Sequence, residues 1–218
     1  MPSVLELHIA GEPMQAFADR ALYWPARRRL LIADLHLGKG NVFRWAGIPV
    51  PSGGTRDDLA RLALLLHRCG ARELWILGDF LHGPRHTDIE NAWSALVAAH
   101  PQVRVSVIAG NHDRALTPGD HGVDLLPDDL CDGPFRFRHQ PITLPAPGAA
   151  HVLCGHVHPV VRLRELPGRH PAFLMQAGQT VLPAFSQFTG GHRIDDRASH
   201  WLACTRGELL AKLPVQVG

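Results

Sequence analysis

Blocks of apolar and polar residues alternate along the first half of the chain and divide it into predicted strands and helices. The apolar run at 27–36 ends in polar residues, which predicts a buried strand that opens into a loop rich in glycine and proline. Residues 55–70 carry leucines at helical spacing, so we predict a helix that Thr55 caps and Gly70 ends. The next predicted elements are a strand at 73–80, a helix at 87–100 with Thr87 as its cap, and a strand at 103–113.

The second half of the chain has a different pattern, with short strand candidates and few helix signals. These candidates lie at 135–141, 151–159, 171–179 and 200–208. The strand–helix alternation of the first half predicts a parallel sheet, and the later strands predict a second sheet packed against it. We therefore expect an α/β fold of two packed sheets. The 218 residues show no internal repeat or obvious linker, so residues 1–218 are expected to form one domain.

The composition is that of an ordinary globular protein and excludes few functions by itself. Apolar residues make up 45% of the chain and charged residues 19%. A net charge of +2 permits nucleic acid as a partner but does not require it. The N-terminal stretch does not resemble a signal peptide, and no apolar run is long enough to span a bilayer. We therefore expect a cytoplasmic protein that does not bind a membrane.

The cysteines are spread along the chain and form no CxxC pair, which argues against a zinc knuckle or a thioredoxin-type motif. Free cysteine usually packs as a small buried hydrophobic residue in a reducing compartment, and we expect the same here. The four residues are Cys69, Cys131, Cys154 and Cys204.

Polar residues that can bind a metal ion follow each predicted strand of the first sheet. Asp34 and His36 lie two positions apart, Asp79 follows the second strand, and Asn111 and His112 follow the third. Residues two apart on a strand share a face. Because the carboxyl ends of parallel strands lie along one rim, these side chains are expected to meet there.

Histidines in the second half complete this candidate site. His156 and His158 again lie two apart, and His139 ends an alternating strand; His121 is a rival for the same role, but a surface loop is expected there. With His112 set aside, the donors are two carboxylates, one amide oxygen and four imidazoles. That number suits two divalent cations, and nitrogen and oxygen donors without thiolate favour Mn, Fe, Zn or Co. Two ions roughly 3.5–4 Å apart form a clamp for in-line displacement at phosphorus.

These motifs, in this order, resemble the calcineurin-like metallophosphoesterases. The order is D-x-H, G-D, G-N-H-D, a single histidine and G-H-x-H, from Asp34 to His158. The resemblance implies a four-layer αββα sandwich of two mixed β-sheets flanked by helices, with a dinuclear site at its edge. It implies that one metal is held by Asp34, His36, Asp79 and His158. It implies that the second is held by Asn111, His139, His156 and a bridging Asp79.

Three longer stretches are similar to the ligase-associated DNA damage response endonucleases, the PdeM group. They are LLIADLHLGKGNVFRWAGIPVPSGGTRDDLARL, LPAFSQFTGG and GHVHPVVRL. This likeness implies a phosphodiesterase or endonuclease that acts on DNA during repair. It also implies three partners: an ATP-dependent DNA ligase, a large helicase-related protein and a DNA-end-processing exonuclease. The sequence leaves the oligomeric state open, a homodimer included.

The expected mechanism assigns separate roles to neighbouring residues of the G-N-H-D motif. A hydroxide that bridges the two ions, most readily Mn²⁺ with Zn²⁺ or Fe as alternatives, would attack phosphorus in line. Gly110 would leave room for the phosphate, and Asn111 would bind metal. His112 would donate a proton to the leaving oxygen or bind the phosphate, with Asp113 orienting its imidazole.

Other functions remain open at this point. A phosphatase is disfavoured, because serine/threonine phosphatases of this superfamily carry an arginine soon after G-D and a glutamate where Asp113 stands. A small-molecule nucleotide phosphodiesterase or pyrophosphatase stays open, and a non-catalytic scaffold is disfavoured because His112 is present. Arg44 with Trp45, and Arg114, either bind nucleic acid or serve as solvated and packing residues. His82 lies either beside the phosphate or in a surface turn.

Overall fold

Two β-sheets pack face to face in the computed structural model, which describes residues 2–51, 53–83, 86–143, 146, 148–195 and 200–212. The first sheet has seven strands: β1 (Val4–Ile9), β2 (Glu12–Phe17), β3 (Ala21–Trp24), β4 (Arg29–Ala33), β5 (Glu73–Leu77), β6 (Arg104–Ile108) and β7 (Asp124–Leu126). The second sheet has nine: β8 (Leu130–Asp132), β9 (Phe135–Phe137), β10 (His151–Cys154), β11 (Pro159–Val161), β12 (His170–Gln176), β13 (Gln179–Val181), β14 (His192–Arg193), β15 (His200–Cys204) and β16 (Leu209–Lys212).

Both sheets are mixed, as expected. In the first sheet the strands follow chain order; β1 to β4 are antiparallel, whereas β4, β5, β6 and β7 are parallel. The second sheet has the order β14-β11-β12-β13-β10-β9-β8, with β15 paired to β12 and β16 to β15. The carboxyl ends of β4, β5 and β6 therefore point to the same edge, which confirms the parallel core that the strand–helix alternation predicts.

Three α-helices lie among the described residues: α1 (Lys39–Trp45), α2 (Gly54–Cys69) and α3 (Thr87–Ala99). Gly70 ends α2 with φ +59°, as predicted. The predicted caps are wrong, because Gly53 precedes α2 with φ +98° and His86 precedes α3, and neither helix start has a capping side-chain hydrogen bond. The sequence pattern also missed α1, which lies where a loop was expected, and β1 to β3.

Three apolar clusters hold these layers together. Leu62, Leu66 and Trp93 from the helices pack with alternate residues of β4 and β5 on one face of the first sheet. The other face meets Phe135, Phe173 and other residues of the second sheet in a core between the sheets. The outer face of the second sheet carries a third cluster, to which no helix contributes within the described part of the chain. Helices therefore flank the first sheet, and strand and loop residues cover the second.

The cysteines fit the packing expectation in part. Cys154 and Cys204 are buried in the cores, whereas Cys69 is half-buried and Cys131 is exposed. Among the described residues, no helix is long and apolar enough to cross a membrane.

Candidate metal centre

The seven predicted metal ligands come together at the edge where the two sheets meet. Each follows a strand: Asp34 and His36 follow β4, Asp79 follows β5, Asn111 follows β6, His139 follows β9, and His156 and His158 lie between β10 and β11. Four of them are almost fully buried, namely Asp34, His36, Asp79 and His139. Asn111 and His156 are exposed, and His158 is half-buried. The site thus has a buried floor and an open rim.

Asp34 lies at the centre of this arrangement. Its Oδ2 accepts a hydrogen bond of 2.7 Å from the His156 backbone N–H and lies 3.3 Å from His158 Nε2. Its Oδ1 lies 3.7 Å from His139 Nδ1. Donor atoms of Asp34, His36 and His158 lie within 4.8 Å of one another, and those of Asp34, Asp79 and His139 form a second such group. Asp34 is the residue common to both groups.

His139 links the remaining two ligands to this floor. Its Nε2 lies 3.2 Å from Asn111 Oδ1 and 3.0 Å from His156 Nδ1. His121, the rival for its position, lies elsewhere: its ring contacts Phe80, and its carbonyl accepts a hydrogen bond from Trp93 Nε1.

The backbone that presents these side chains is left-handed at four positions. Asp34, His36, His156 and His158 have φ values of 50°, 48°, 69° and 52°. Non-glycine residues in this region typically cost about 1–3 kcal/mol each and persist only where the surrounding structure holds them, commonly at functional sites. Strand alternation is therefore not what brings Asp34 beside His36, because β4 ends at Ala33. The loop conformation does so.

Glycines give the floor its space. A Cβ atom at Gly110 would lie 2.1 Å from Asp79 Oδ1, one at Gly78 would lie 2.0 Å from His139 Nδ1, and one at Gly155 would lie 2.6 Å from Asp34 Oδ2. The sequence did not predict this reason for a glycine at position 110. Gly110 leaves room for the carboxylate of Asp79.

Five buried polar atoms of the floor have no hydrogen-bond partner among the residues that the structure describes: Asp34 Oδ1, both ring nitrogens of His36, His139 Nδ1 and His158 Nε2. Leaving such groups unpaired costs about 1–3 kcal/mol each, so their clustering calls for a ligand. Burial lowers the pKa of His36 and of His139, which keeps both imidazoles neutral and their lone pairs free to bind a cation. The donor set of carboxylate oxygens and imidazole nitrogens fits divalent transition metals.

His112 lies at the rim rather than in the floor. Its side chain is 44% exposed, and its Nε2 lies 3.9 Å from Asp79 Oδ2. Its backbone N–H donates to Asp79 Oδ1 at 2.9 Å. Asp113 does not orient this imidazole, contrary to expectation. Its two carboxylate oxygens accept hydrogen bonds from the backbone N–H groups of Phe80, Leu81 and Gly110, so it shapes the loops instead.

Two further residues belong to this surrounding. The sequence left two positions open for His82, beside the phosphate or in a surface turn. The centre of its ring lies 4.5 Å from that of His112 and 5.0 Å from that of His36. Burial lowers the pKa of His82 to about 4. Lys39 was missed, although it follows the D-x-H motif closely. Burial lowers the pKa of Lys39, while attraction to Asp34 and Asp79 opposes that shift. Arg114 is exposed beside the site, and Trp45 is 67% exposed rather than a core residue.

Comparisons with known proteins agree with this geometry. The profile of the family described as calcineurin-like phosphoesterase matches residues 27–141. The crystal structure of Pseudomonas putida nuclease MPE is similar, with a TM-score of 0.82 and 34% sequence identity, over 96% of this chain and 100% of that chain. No curated protein matches the chain.

Proposed function

This chain belongs to the calcineurin-like phosphoesterase family and is a metal-dependent phosphoesterase, and we propose that it is an endonuclease that cleaves phosphodiester bonds in DNA. The observation that carries this proposal is the cluster of unpartnered buried donors beneath an open rim. The similar protein from Pseudomonas putida is named a nuclease, which supports the same substrate class.

We propose that the site holds two divalent cations. Asp34, His36, Asp79 and His158 would bind one of them, and Asp79, Asn111, His139 and His156 would bind the other. The two groups of converging donor atoms support a pair of ions, and Asp34 is common to both groups. We propose Mn²⁺, with Zn²⁺ or Fe as alternatives, and a mixed set of carboxylate and imidazole donors suits all three.

Bound divalent cations would neutralise charge on the phosphate and lower the pKa of water for attack on phosphorus. The protein supplies the rest. Its floor fixes the carboxylates, since the backbone N–H groups of His156 and His112 donate to Asp34 and Asp79. The His112 imidazole, half in solvent beside Asp79, can hold the proton that the leaving oxygen takes.

The open rim supports a polymeric substrate. The side chains of Asn111, His112 and His156 are exposed, so a phosphodiester within a long chain can reach the buried floor without entering a closed cavity. Arg114 lies exposed next to them, where a guanidinium can bind a neighbouring phosphate.

We further propose that the whole chain acts as one domain in cytoplasmic DNA repair. An ATP-dependent DNA ligase, a large helicase-related protein and a DNA-end-processing exonuclease are the proposed partners. The support is the likeness of residues 30–62, 155–163 and 182–191 to the ligase-associated endonucleases.

The test uses one preparation of the protein and compares its hydrolysis of a diester, a monoester and DNA. Protein stripped with EDTA and reloaded with Mn²⁺ is expected to hydrolyse bis(p-nitrophenyl) phosphate faster than p-nitrophenyl phosphate, and to cut circular DNA, which has no ends. A preference for the monoester would make the chain a phosphatase. Diester hydrolysis without cleavage of DNA would leave a small-molecule phosphodiesterase, and no turnover of any substrate would leave a scaffold.

A further inference from the structure

Two segments that contain no proposed metal ligand contact each other in the structure. They are the start of α2, which contains Asp58 and Arg61, and the loop at 182–191 that follows β13. Asp58 is 2% exposed although it lies on a helix, and no step proposed above uses it. Its Oδ1 accepts a hydrogen bond of 2.9 Å from Arg61 Nη2, and its Oδ2 accepts one of 3.2 Å from the Gln187 backbone N–H.

Two arginines hold the same loop by its carbonyl groups. Arg61 Nη2 donates to the Phe185 carbonyl, and the Arg61 guanidinium lies 4.2 Å from the centre of the Phe185 ring. Arg20 Nη1 donates to the Ser186 carbonyl at 2.9 Å and to the Phe185 carbonyl at 3.4 Å. Three buried or half-buried charges therefore bind three consecutive residues, 185–187.

The opposite side of this loop holds the backbone of Asp34. The Phe185 N–H donates to the Ala33 carbonyl at 2.7 Å, and the Ser186 N–H donates to the Asp34 carbonyl at 3.3 Å. Ala184 and Ala33 form a parallel β-bridge. Just before it, the Leu182 N–H donates to the Cys154 carbonyl at 2.8 Å, two residues ahead of His156. The loop thus joins the two strand ends that supply Asp34 and His156.

The need for such a support follows from the backbone. Asp34 has φ 50°, and of its two carboxylate oxygens only Oδ2 accepts a hydrogen bond among the described residues, so the surrounding backbone must hold this conformation. A buried ion pair is weak evidence for stability in itself, because desolvation offsets the attraction. Burial raises the pKa of Asp58 to about 6 although Arg61 opposes the shift, which shows how large that desolvation is.

We propose that Asp58, Arg61 and Arg20 are positioning residues for the metal centre, which hold the loop at 185–187 and through it the left-handed backbone of Asp34. This inference rests on the proposed function only in taking Asp34 as a metal ligand. It does not depend on which phosphoester is the substrate. We name these three residues and the loop the Asp34 support.

The test measures metal affinity, which loss of stability alone does not change in a folded protein. Arg61→Met keeps the volume of the stem but removes the guanidinium. We expect it to weaken Mn²⁺ binding roughly 10- to 100-fold, the range found when groups that orient metal ligands are removed. Free Mn²⁺ is read by its electron paramagnetic resonance signal during titration, at a temperature where circular dichroism shows every variant folded.

Arg29→Met is the matched control. Arg29 is an ion-paired arginine, with a side chain 5% exposed against 16% for Arg61, at the amino end of β4, the strand that leads to Asp34. It should lose at least as much stability as Arg61→Met while its Mn²⁺ affinity stays at the wild-type level. Arg61→Lys, which keeps the positive charge, should recover part of the affinity. If Arg61→Met does not fold, Asp58→Asn takes its place with the same expected weakening.

The outcomes separate this inference from the proposed function. Wild-type Mn²⁺ affinity in folded Arg61→Met or Asp58→Asn overturns the Asp34 support. Equal weakening in Arg29→Met also overturns it, because general loosening would then explain the effect. A wild-type protein that binds no divalent cation overturns the metal centre itself.

Discussion

A buried charged residue lies at each end of β4, but the two residues differ in their hydrogen-bond partners. At the amino end, the Arg29 guanidinium donates to Glu73 at 2.6 Å and to Asp132 at 2.9 Å, and it lies 3.6 Å from the centre of the Trp75 ring. Just beyond the carboxyl end, Asp34 Oδ1 has no hydrogen-bond partner within the described part of the chain. The imidazoles of His139 and His158 lie 3.7 Å and 3.3 Å from its two oxygens, and burial lowers the pKa of His139.

This contrast shows what distinguishes a structural charge from a functional one. A buried charge that folding alone must stabilise needs opposite charges and hydrogen bonds within the protein. A buried carboxylate left short of partners, beside nitrogens that are also short of them, has its remaining partner outside the chain. Burial by itself therefore does not identify the site, whereas the clustering of buried polar atoms that lack a hydrogen-bond partner does.

The largest expected effect on activity is at Asp34, just beyond the carboxyl end of β4. Asp34→Asn keeps the shape and the acceptor for the His156 N–H but removes the negative charge. We expect turnover of bis(p-nitrophenyl) phosphate to fall by about 10³-fold or more, because several kcal/mol of transition-state stabilisation depend on the cations. Metal content measured by mass spectrometry should fall as well. The same change should not lower the unfolding temperature of metal-free protein; a clear drop there would mean that this carboxylate is structural.

His112→Ala should separate metal binding from proton transfer. Because His112 lies at the rim and contributes its backbone, not its ring, to fixing Asp79, the substitution should leave metal content near normal. We expect turnover to fall roughly 10²- to 10⁴-fold if the imidazole is a general acid. Steady-state kinetics with Mn²⁺ provide the measurement. Undiminished diester hydrolysis would remove His112 from the chemistry.

At Arg29, at the amino end of β4, we expect the smallest effect on activity and the clearest effect on stability. Arg29→Met removes the shared partner of Glu73 and Asp132, although Asp132 keeps Arg27, and both carboxylates are partly exposed. We expect a loss of about 1–3 kcal/mol of unfolding free energy. Turnover per folded molecule should be unchanged. Urea denaturation measures the unfolding free energy. Arg104→Ala breaks the exposed pair with Asp124 on the same sheet and should shift the midpoint little, which serves as the control.

The sequence predicted more of the site than of the fold around it. Polar residues at the ends of apolar runs indicated all seven candidate ligands, because strand ends in a parallel sheet share an edge. The same patterns missed β1 to β3 and α1, and gave the wrong caps for α2 and α3. Helix boundaries depend on single backbone conformations, such as the positive φ of Gly53, that periodicity does not encode.

By itself, then, the sequence determined the chemical class of the site, since the types and order of its donors are properties of the chain. Only the tertiary structure decided how those donors are held. Three features join segments far apart in the chain: the hydrogen bond from the Ser186 N–H to the Asp34 carbonyl, the space that Gly110 leaves for Asp79, and the hydrogen bond from the Gln187 N–H to Asp58. Such contacts form when the sheets pack, and no local pattern of apolar and polar residues specifies them.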